Sequence, residues 1–204
     1  MGVQERKARE KEELRKVILD AATDLFSQEG YEAVSMRKIA ERIEYSPTTI
    51  YLYFKDKTDL LDNVCADTFG GLLQVLAAIE SENLEPLEGL SLGLKAYIQF
   101  GLDHPAHYRV TFLMRHTVFP ARDAPCKADC VGDLAFGALV RSVSRCMEAG
   151  ILRADDPQLV SETLWSAIHG LTALLITHPE FPWSDKGRLV DHMITTLLEG
   201  LRAR

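Results

Sequence analysis

Apolar residues recur at intervals of three and four along most of this chain, the spacing that places them on one face of an α-helix. Proline or glycine separates these periodic segments, and no stretch alternates apolar and polar residues as a half-buried strand would. The pattern therefore predicts an all-α protein. The predicted helices cover residues 11–28, 35–43, 47–54, 57–81, 87–102, a short segment ending near Arg115, 131–149, 157–177 and 185–201.

The most distinctive segment begins at Ser35, where two short predicted helices follow one another with only a tight turn between them. Ser35 and Ser46 stand where a hydroxyl can cap free backbone N–H groups, and Pro47 suits the first position of a helix. Ile50 and Phe54 are four residues apart and would face the first helix. The residues left to point outward are Pro47, Thr48, Tyr51 and Tyr53. Such a pair of helices suits insertion into a DNA major groove.

A third helix is predicted to begin directly after this pair, at Lys57. Asp56 is placed to cap it, and Asp59 is a second acid three residues further on. A lysine at a helix N-terminus can hold a phosphate together with the free N–H groups of that helix. Lys57 is therefore a candidate phosphate contact.

Three segments together resemble the N-terminal DNA-binding domain of the TetR family of bacterial transcriptional repressors. They are LFSQEGY at 25–31, SMRKIA at 35–40 and the stretch from Ser46 to Lys57. The resemblance implies a three-helix DNA-binding domain over residues 12–72, with a helix-turn-helix motif at about 35–54. It also implies a larger C-terminal helical bundle over residues 73–204 that binds a ligand and forms a dimer.

The same resemblance implies which side chains touch DNA. Pro47, Thr48 and Thr49 would lie nearest the base edges, where threonine can contact a thymine methyl group or hydrogen-bond to several bases. Contacts that hold phosphates without identifying the bases are implied for Ser35, Arg37, Tyr51, Tyr53 and Lys57. Ser46, at the start of the second helix, completes this set of candidates.

The turn of the motif departs from the family pattern. Family members usually carry Gly-Val-Ser there, because glycine accepts a left-handed backbone, whereas this chain has Glu44, Tyr45 and Ser46. A residue with a side chain either takes the strain or shifts the turn slightly.

The N-terminal run from Gln4 to Lys16 contains six basic and four acidic residues. It could place Arg6, Lys7 or Arg9 in a minor groove, as basic arms do in other DNA-binding proteins. A solvated, partly frayed tail is the alternative that we favour.

Charge and composition narrow the class of protein. The 204-residue chain has a net charge of −7, yet residues 1–57 are neutral overall and residues 35–57 carry +2. A small positive face favours DNA binding that depends on geometry over unspecific coating of nucleic acids.

No uninterrupted apolar run approaches the roughly 18 residues of a membrane span, and the charged N-terminus has no signal-peptide core. We therefore expect a cytoplasmic protein with no membrane partner and with reduced cysteines.

The C-terminal half is predicted to dimerise and to bind an effector. Segments beginning at His104 and Trp165 are similar to one group of TetR C-terminal domains. Small and large apolar residues interleave over 157–177, and 185–201 carries a second apolar stripe, which together resemble the family's dimer interface. Candidates for lining a pocket for a fairly apolar small molecule are Tyr97, Tyr108, Phe112, Met147, Trp165 and His169. For His169, a hydrogen-bonded core position is the alternative that we favour.

Two other functions stay open at this point. Asp103, His104 and His107 could serve a helical enzyme or a metal-binding protein, although no nucleophile–base pair, phosphate loop or metal quartet accompanies them. Cys126 and Cys130 could form a redox switch. We favour neither, and we expect no catalytic residue, no cofactor and no bound metal.

The combined prediction is a homodimeric transcriptional regulator, most simply a repressor that a small molecule releases from a palindromic operator. Paired recognition helices would occupy successive major grooves of double-stranded DNA. The effector would act by binding more tightly to a dimer whose helices are wrongly spaced for that DNA.

Overall fold

The computed structural model describes residues 2–114 and 131–203, and its regular elements are helices. In chain order they are α1 (Val3–Glu29), α2 (Met36–Arg42), α3 (Pro47–Tyr51), α4 (Lys57–Ser81), α5 (Pro86–Asp103), α6 (Pro105–Tyr108), a π-helical turn (Arg109–Leu113), α7 (Val131–Glu148), α8 (Pro157–Thr177) and α9 (Lys186–Leu201). Over these two ranges, strand-like pairing is limited to one antiparallel bridge between Leu152 and Arg202. The all-α prediction is confirmed.

The chain forms two compact units. Unit 1 contains the residues up to Thr68 and a later segment that begins at Ala106. Unit 2 contains Phe69–Pro105 and helices α7 to α9. The first boundary therefore falls inside α4, a few residues before the predicted domain end at residue 72. After Pro105 the chain returns to unit 1. The predicted division into two consecutive domains did not include this return.

Unit 1 is organised around an apolar core to which α1 to α4 all contribute. Its fully buried members include Ile18, Phe26, Ile39, Ile50, Phe54, Leu60 and Val64. Val110, from the π-helical turn, joins the same core. Ile50 and Phe54 face inward as predicted, so the opposite side of α3 is left at the surface.

Helix α1 is longer than predicted, because it begins at Val3 and not near residue 11. The N-terminal run is therefore helical and not frayed, although its first ten residues are solvated as expected, and the placement of Arg6, Lys7 or Arg9 in a minor groove stays a prediction. Ion pairs one helical turn apart, Arg6–Glu10 and Arg9–Glu13, each at 3.4 Å, support the added turns. Periodicity could not detect these turns, since apolar residues are almost absent before Leu14.

Two other helix predictions need correction. Helix α3 ends at Tyr51 instead of Phe54, although the backbone N–H of Phe54 still donates to the carbonyl of Ile50 at 3.0 Å. The predicted short helix ending near Arg115 consists of the four-residue α6 followed by the π-helical turn.

Unit 2 is a bundle in which α5 packs against α7, α8 and α9. Its buried side chains come from all four helices and include Leu90, Leu94, Ile98, Val143, Leu164, Ile168, Ile194 and Leu198. Asp156 caps α8 by accepting a hydrogen bond from the N–H of Gln158 at 2.9 Å, and Pro157 occupies the first helical position.

Helices α4 and α8 are each long and apolar enough to cross a membrane by length and composition alone. The expectation that no segment would qualify considered only uninterrupted apolar runs and is corrected. Core helices of soluble proteins pass the same test, so two such helices are weak support for a membrane span.

Glu44 takes up the strain of the tight turn, with a left-handed φ of 59°. We expect Glu44→Gly to raise the free energy of unfolding by about 0.5–1 kcal/mol, because glycine adopts this φ without a Cβ penalty. Chemical denaturation followed by circular dichroism would measure the change. Glu41→Gly, the same substitution inside α2, should instead destabilise the protein. A loss of stability in both variants would contradict the strain at Glu44.

Candidate nucleic-acid interface

Two serine caps hold the helix-turn-helix in shape. The Ser35 hydroxyl accepts a hydrogen bond from the backbone N–H of Lys38 at 3.2 Å and begins α2. The Ser46 hydroxyl accepts one from the N–H of Thr49, also at 3.2 Å, and begins α3. Because each cap satisfies a backbone donor that the helix cannot, both helices can be short and still well defined. Both predicted caps are present.

The outer face of α3 combines polar, phenolic and aliphatic side chains. Pro47 and Thr48 are exposed, and Tyr51 is 54% exposed. Thr49 is half-buried, with its hydroxyl oxygen 3.0 Å from that of Ser46. Thr48 is thus the exposed threonine, whereas the Thr49 hydroxyl is hydrogen-bonded to the capping hydroxyl of Ser46.

Two apolar side chains beside this face were not among the predicted contacts. Leu52 is 75% exposed, and Tyr45, in the turn, is 48% exposed. Large apolar groups on a polar surface mark interaction sites, and an aliphatic side chain can contact a thymine methyl group. A signal was available for Leu52, since it follows the outward-facing Thr48 by four residues.

Tyr53 and Arg37 differ from their predicted settings in detail. Tyr53 is half-buried and packs against the core of unit 1, so its prediction as an outward-pointing residue is corrected. Arg37 is exposed at the start of α2, where its Nε lies 2.9 Å from a carboxylate oxygen of Glu41. A phosphate would have to compete with that carboxylate for the guanidinium.

The start of α4 is capped on both sides of Lys57. The N–H of Asp59 donates to the Asp56 carboxylate at 2.9 Å, and the N–H of Lys55 donates to the Asp59 carboxylate at 2.7 Å. The first of these two bonds confirms the predicted aspartate cap.

The ammonium of Lys57 itself faces inward. It donates to the backbone carbonyls of Tyr31 at 2.8 Å and Val34 at 3.0 Å, and it lies 4.1 Å from the centroid of the Tyr31 ring. Lys57 therefore ties the start of α4 to the link between α1 and α2. Its role as a phosphate contact stays a prediction. Its hydrogen bonds to the two carbonyls give it a structural role as well.

In unit 2, three of the predicted pocket residues meet in one hydrogen-bonded cluster. The indole N–H of Trp165 donates to the Tyr97 hydroxyl at 3.2 Å, and that hydroxyl lies 3.2 Å from Nδ1 of His169. Burial lowers the pKa of His169, because the charged imidazolium is poorly solvated there. A neutral imidazole accepting at Nδ1 suits this arrangement. Phe136, which was not predicted, adds an edge-on ring contact to Trp165 at 6.0 Å.

The other predicted pocket residues are Tyr108, Phe112 and Met147. Tyr108 and Phe112 belong to unit 1, where their ring centroids are 4.8 Å apart and Tyr108 is buried. Met147 is half-buried on α7. Their part in an effector pocket stays a prediction.

The residues of the metal or enzyme hypothesis have other partners. The Asp103 carboxylate accepts a hydrogen bond from Gln99 at 2.7 Å, and Nδ1 of His107 lies 3.1 Å from the Thr68 hydroxyl oxygen. The His104 ring is tilted against that of Phe100, with 4.8 Å between the ring centroids. Among the residues that the structure describes, no group of three His, Cys, Asp or Glu side chains is placed to hold a metal ion. The geometry gives this hypothesis no support.

The redox hypothesis rests on Cys126 and Cys130, which lie outside the described residues. In the described part, burial raises the pKa of the Cys65 thiol to about 11, and burial also raises the pKa of Cys146. Both thiols are therefore protonated at neutral pH and weakly reactive.

Two capped short helices with an exposed polar and phenolic face define unit 1 as a helix-turn-helix DNA-binding domain. Residues 18–64 match the family described as bacterial regulatory proteins, tetR family. Residues 90–197, more than half of the chain, match the C-terminal domain described as tetracyclin repressor-like. The chain belongs to the TetR family of transcriptional regulators, and the members of this family are not enzymes in general.

Individual relatives agree with this family assignment. The chain is 42% identical over 69 residues to the transcriptional repressor KstR of Rhodococcus jostii. This alignment covers 34% of this chain and 32% of KstR. It is 32% identical over 75 residues to the fatty acid metabolism regulator protein of Bacillus subtilis, covering 37% of this chain and 39% of that protein. These and the other curated relatives are matched over about a fifth to a half of their own length.

A solved structure shows the same fold over nearly the whole chain. The fatty acid degradation regulator FadR of Bacillus halodurans aligns with a TM-score of 0.79 and 22% identity, covering 93% of this chain and 97% of FadR. At this identity the likeness establishes the fold alone.

Proposed function

We propose that the protein is a cytoplasmic, homodimeric repressor that binds a palindromic operator and is released by a small-molecule effector. The observation that carries the proposal is the surface of α3, where Pro47, Thr48, Tyr51 and Leu52 project from a helix fixed by the Ser46 cap. Such a helix presents three or four side chains to base edges, as helix-turn-helix proteins require.

Dimerisation is proposed through the exposed faces of α8 and α9. On α8, Thr163, Ala167, Gly170 and Leu174 follow one another at helical spacing, and none of them is buried. A Cβ added to Gly170 would meet no atom of the described residues within 4 Å, so their packing does not require glycine there. Close approach of a partner helix would give a reason for its small size.

Helix α9 supplies a second part of the proposed dimer surface. The half-buried apolar residues on it are Leu189, Val190, Met193, Leu197 and Leu201. An apolar stripe that is only partly covered within one chain is typical of helices that pack against another subunit. Two subunits are also needed functionally, because one five-residue α3 contacts only a few base pairs.

The effector is proposed to bind in unit 2 and to be fairly apolar. The cluster of Tyr97, Trp165 and His169 offers aromatic surface with a few oriented polar groups, a mixture typical of small-molecule sites. Two of the relatives carry names that refer to fatty acid metabolism or degradation, which supports an apolar effector class. The effector acts if it binds the DNA-free state of the dimer more tightly than the DNA-bound state.

Selection from a random-sequence duplex library would test DNA recognition and would define the operator sequence in the same experiment. We expect enrichment of a palindrome whose half-sites lie about one helical turn, or a multiple of it, apart. A pool that remains random after several rounds at low ionic strength would contradict sequence-specific binding.

The two threonines provide a sharper prediction about base contact. We expect Thr48→Ala to weaken binding to the selected duplex by about 1–3 kcal/mol while barely changing binding to a random duplex. Thr49→Ala is predicted to lose the same range of free energy for DNA binding, and a loss of stability is added because its hydroxyl no longer hydrogen-bonds with that of Ser46. Fluorescence anisotropy on both duplexes and thermal unfolding would separate the two effects. Equal losses on the two duplexes would exclude base contact for that residue.

A further inference from the structure

We propose that Lys7 and Lys11, on the first turns of α1, form a second DNA-backbone contact beside the helix-turn-helix. The inference rests on the proposed DNA-binding function and extends the DNA contact surface beyond the motif. It concerns the part of α1 that lies before the region matched to the family, which begins at residue 18.

The geometry comes from a groove of about 600 Å³ within unit 1. One wall is a single face of α1, and the other comes from the turn of the motif and the end of α3. The residues lining it are Lys7, Glu10, Lys11, Leu14, Tyr45, Leu52 and Tyr53. The α1 residues are spaced by three and four, so they share one side of the helix. The two lysines therefore lie on the same side of unit 1 as the exposed Leu52 and Tyr45.

The charges along α1 separate the two lysines from the other cations. Arg6 pairs with Glu10, and Arg9 pairs with Glu13. Over the described residues, neither Lys7 nor Lys11 is within ion-pair distance of a carboxylate, and both are exposed. The Arg6–Glu10 pair also engages the one acid that lines the groove. The groove wall thus presents two available ammonium groups next to the proposed base-reading surface.

The spacing of the lysines suits a phosphate backbone. Four residues of α-helix correspond to a rise of about 6 Å, and a DNA strand carries one phosphate per roughly 3.4 Å of helix axis. Two lysines on one helix face can therefore meet phosphates one or two steps apart on the same strand. Such contacts add affinity and fix orientation without identifying bases.

The test compares two double variants that remove the same charge from α1. Lys7→Ala/Lys11→Ala removes both ammonium groups from the groove face of α1. Arg9→Ala/Lys16→Ala removes two exposed cations from the opposite side of the helix. Fluorescence anisotropy would follow each protein on the selected duplex and on a random-sequence duplex over a range of salt concentrations. Lys7→Arg/Lys11→Arg retains the charge and should behave as the unmodified protein.

We expect the groove-face variant to lose roughly 5- to 50-fold in affinity for both duplexes and to flatten the salt slope by about 1.8, while the opposite-face variant changes the slope far less. Equal slopes for the groove-face variant and the unmodified protein, or equal effects of the two double variants, would overturn the inference. Absence of duplex binding by the unmodified protein would instead contradict the proposed function itself.

Discussion

Replacing Leu174 with glutamate is expected to make the protein monomeric and to lower its affinity for the selected palindrome by roughly 10²–10⁴-fold. Leu174 is 47% exposed on α8, on the face that also carries Ala167 and Gly170. A carboxylate buried there between two subunits would lack a partner, and its desolvation would oppose association. The affinity falls because the second half-site is no longer held at high effective concentration. Light scattering coupled to size-exclusion chromatography would give the oligomeric state.

Leu92→Glu is the matched control for this substitution. Leu92 is 36% exposed on α5, so the change adds the same charge to an exposed leucine of unit 2 on another helix. We expect that variant to remain dimeric and to retain its affinity for the palindrome. Binding of a random duplex should also weaken in the Leu174→Glu variant, because a monomer neutralises about half as many phosphates. A dimeric Leu174→Glu protein would remove the proposed interface.

The fold was predictable from sequence because its helices repeat one physical pattern. Apolar spacing located nearly every helix, and the caps Ser35, Ser46 and Asp56 located three helix starts. The turns of α1 before Leu14 were missed because they are held by exposed ion pairs and helix propensity, which leave no apolar stripe. The membrane-length hydropathy of α4 and α8 was missed for a related reason, since scattered polar residues interrupt their apolar runs.

The candidate DNA site was predicted less evenly than the fold. The inward direction of Ile50 and Phe54 followed from their spacing, and this left Pro47, Thr48 and Tyr51 at the surface. The half-buried setting of Tyr53 was missed although a signal was available, because Tyr53 follows the buried Ile50 by three residues and therefore lies near the same side.

The cluster of Tyr97, Trp165 and His169 joins residues about seventy positions apart. Helical periodicity within α8 placed Trp165 and His169 on one face. It carried no information about which residue of α5 would meet them. Only the packing of α5 against α8 establishes that the Tyr97 hydroxyl lies between the two side chains. The hydrogen-bonded interpretation of His169 agrees with this arrangement.

Replacing Lys57 with alanine is expected to lower the free energy of unfolding by about 2–4 kcal/mol. Hydrogen bonds from a charged group contribute about 1.5–3 kcal/mol each, and they are lost here together with a cation–π contact. The lost partners are the carbonyls of Tyr31 and Val34, which the ammonium joins to the start of α4. Chemical denaturation would measure the change. DNA affinity should fall as well, since the link before α2 loses its attachment.

Lys55→Ala provides the control for Lys57→Ala, because Lys55 is an exposed lysine only two residues away. Its hydrogen bond to the Asp59 carboxylate comes from the backbone N–H, which alanine retains. We expect Lys55→Ala to leave the free energy of unfolding within about 0.5 kcal/mol of the unmodified value. The salt dependence of DNA binding then separates the two roles of Lys57. If Lys57→Ala kept full stability and flattened the salt slope by about one ion, Lys57 would be a phosphate contact and the inward structural role would be excluded. A large loss of stability with an unchanged salt slope in the protein that remains folded would establish the structural role alone.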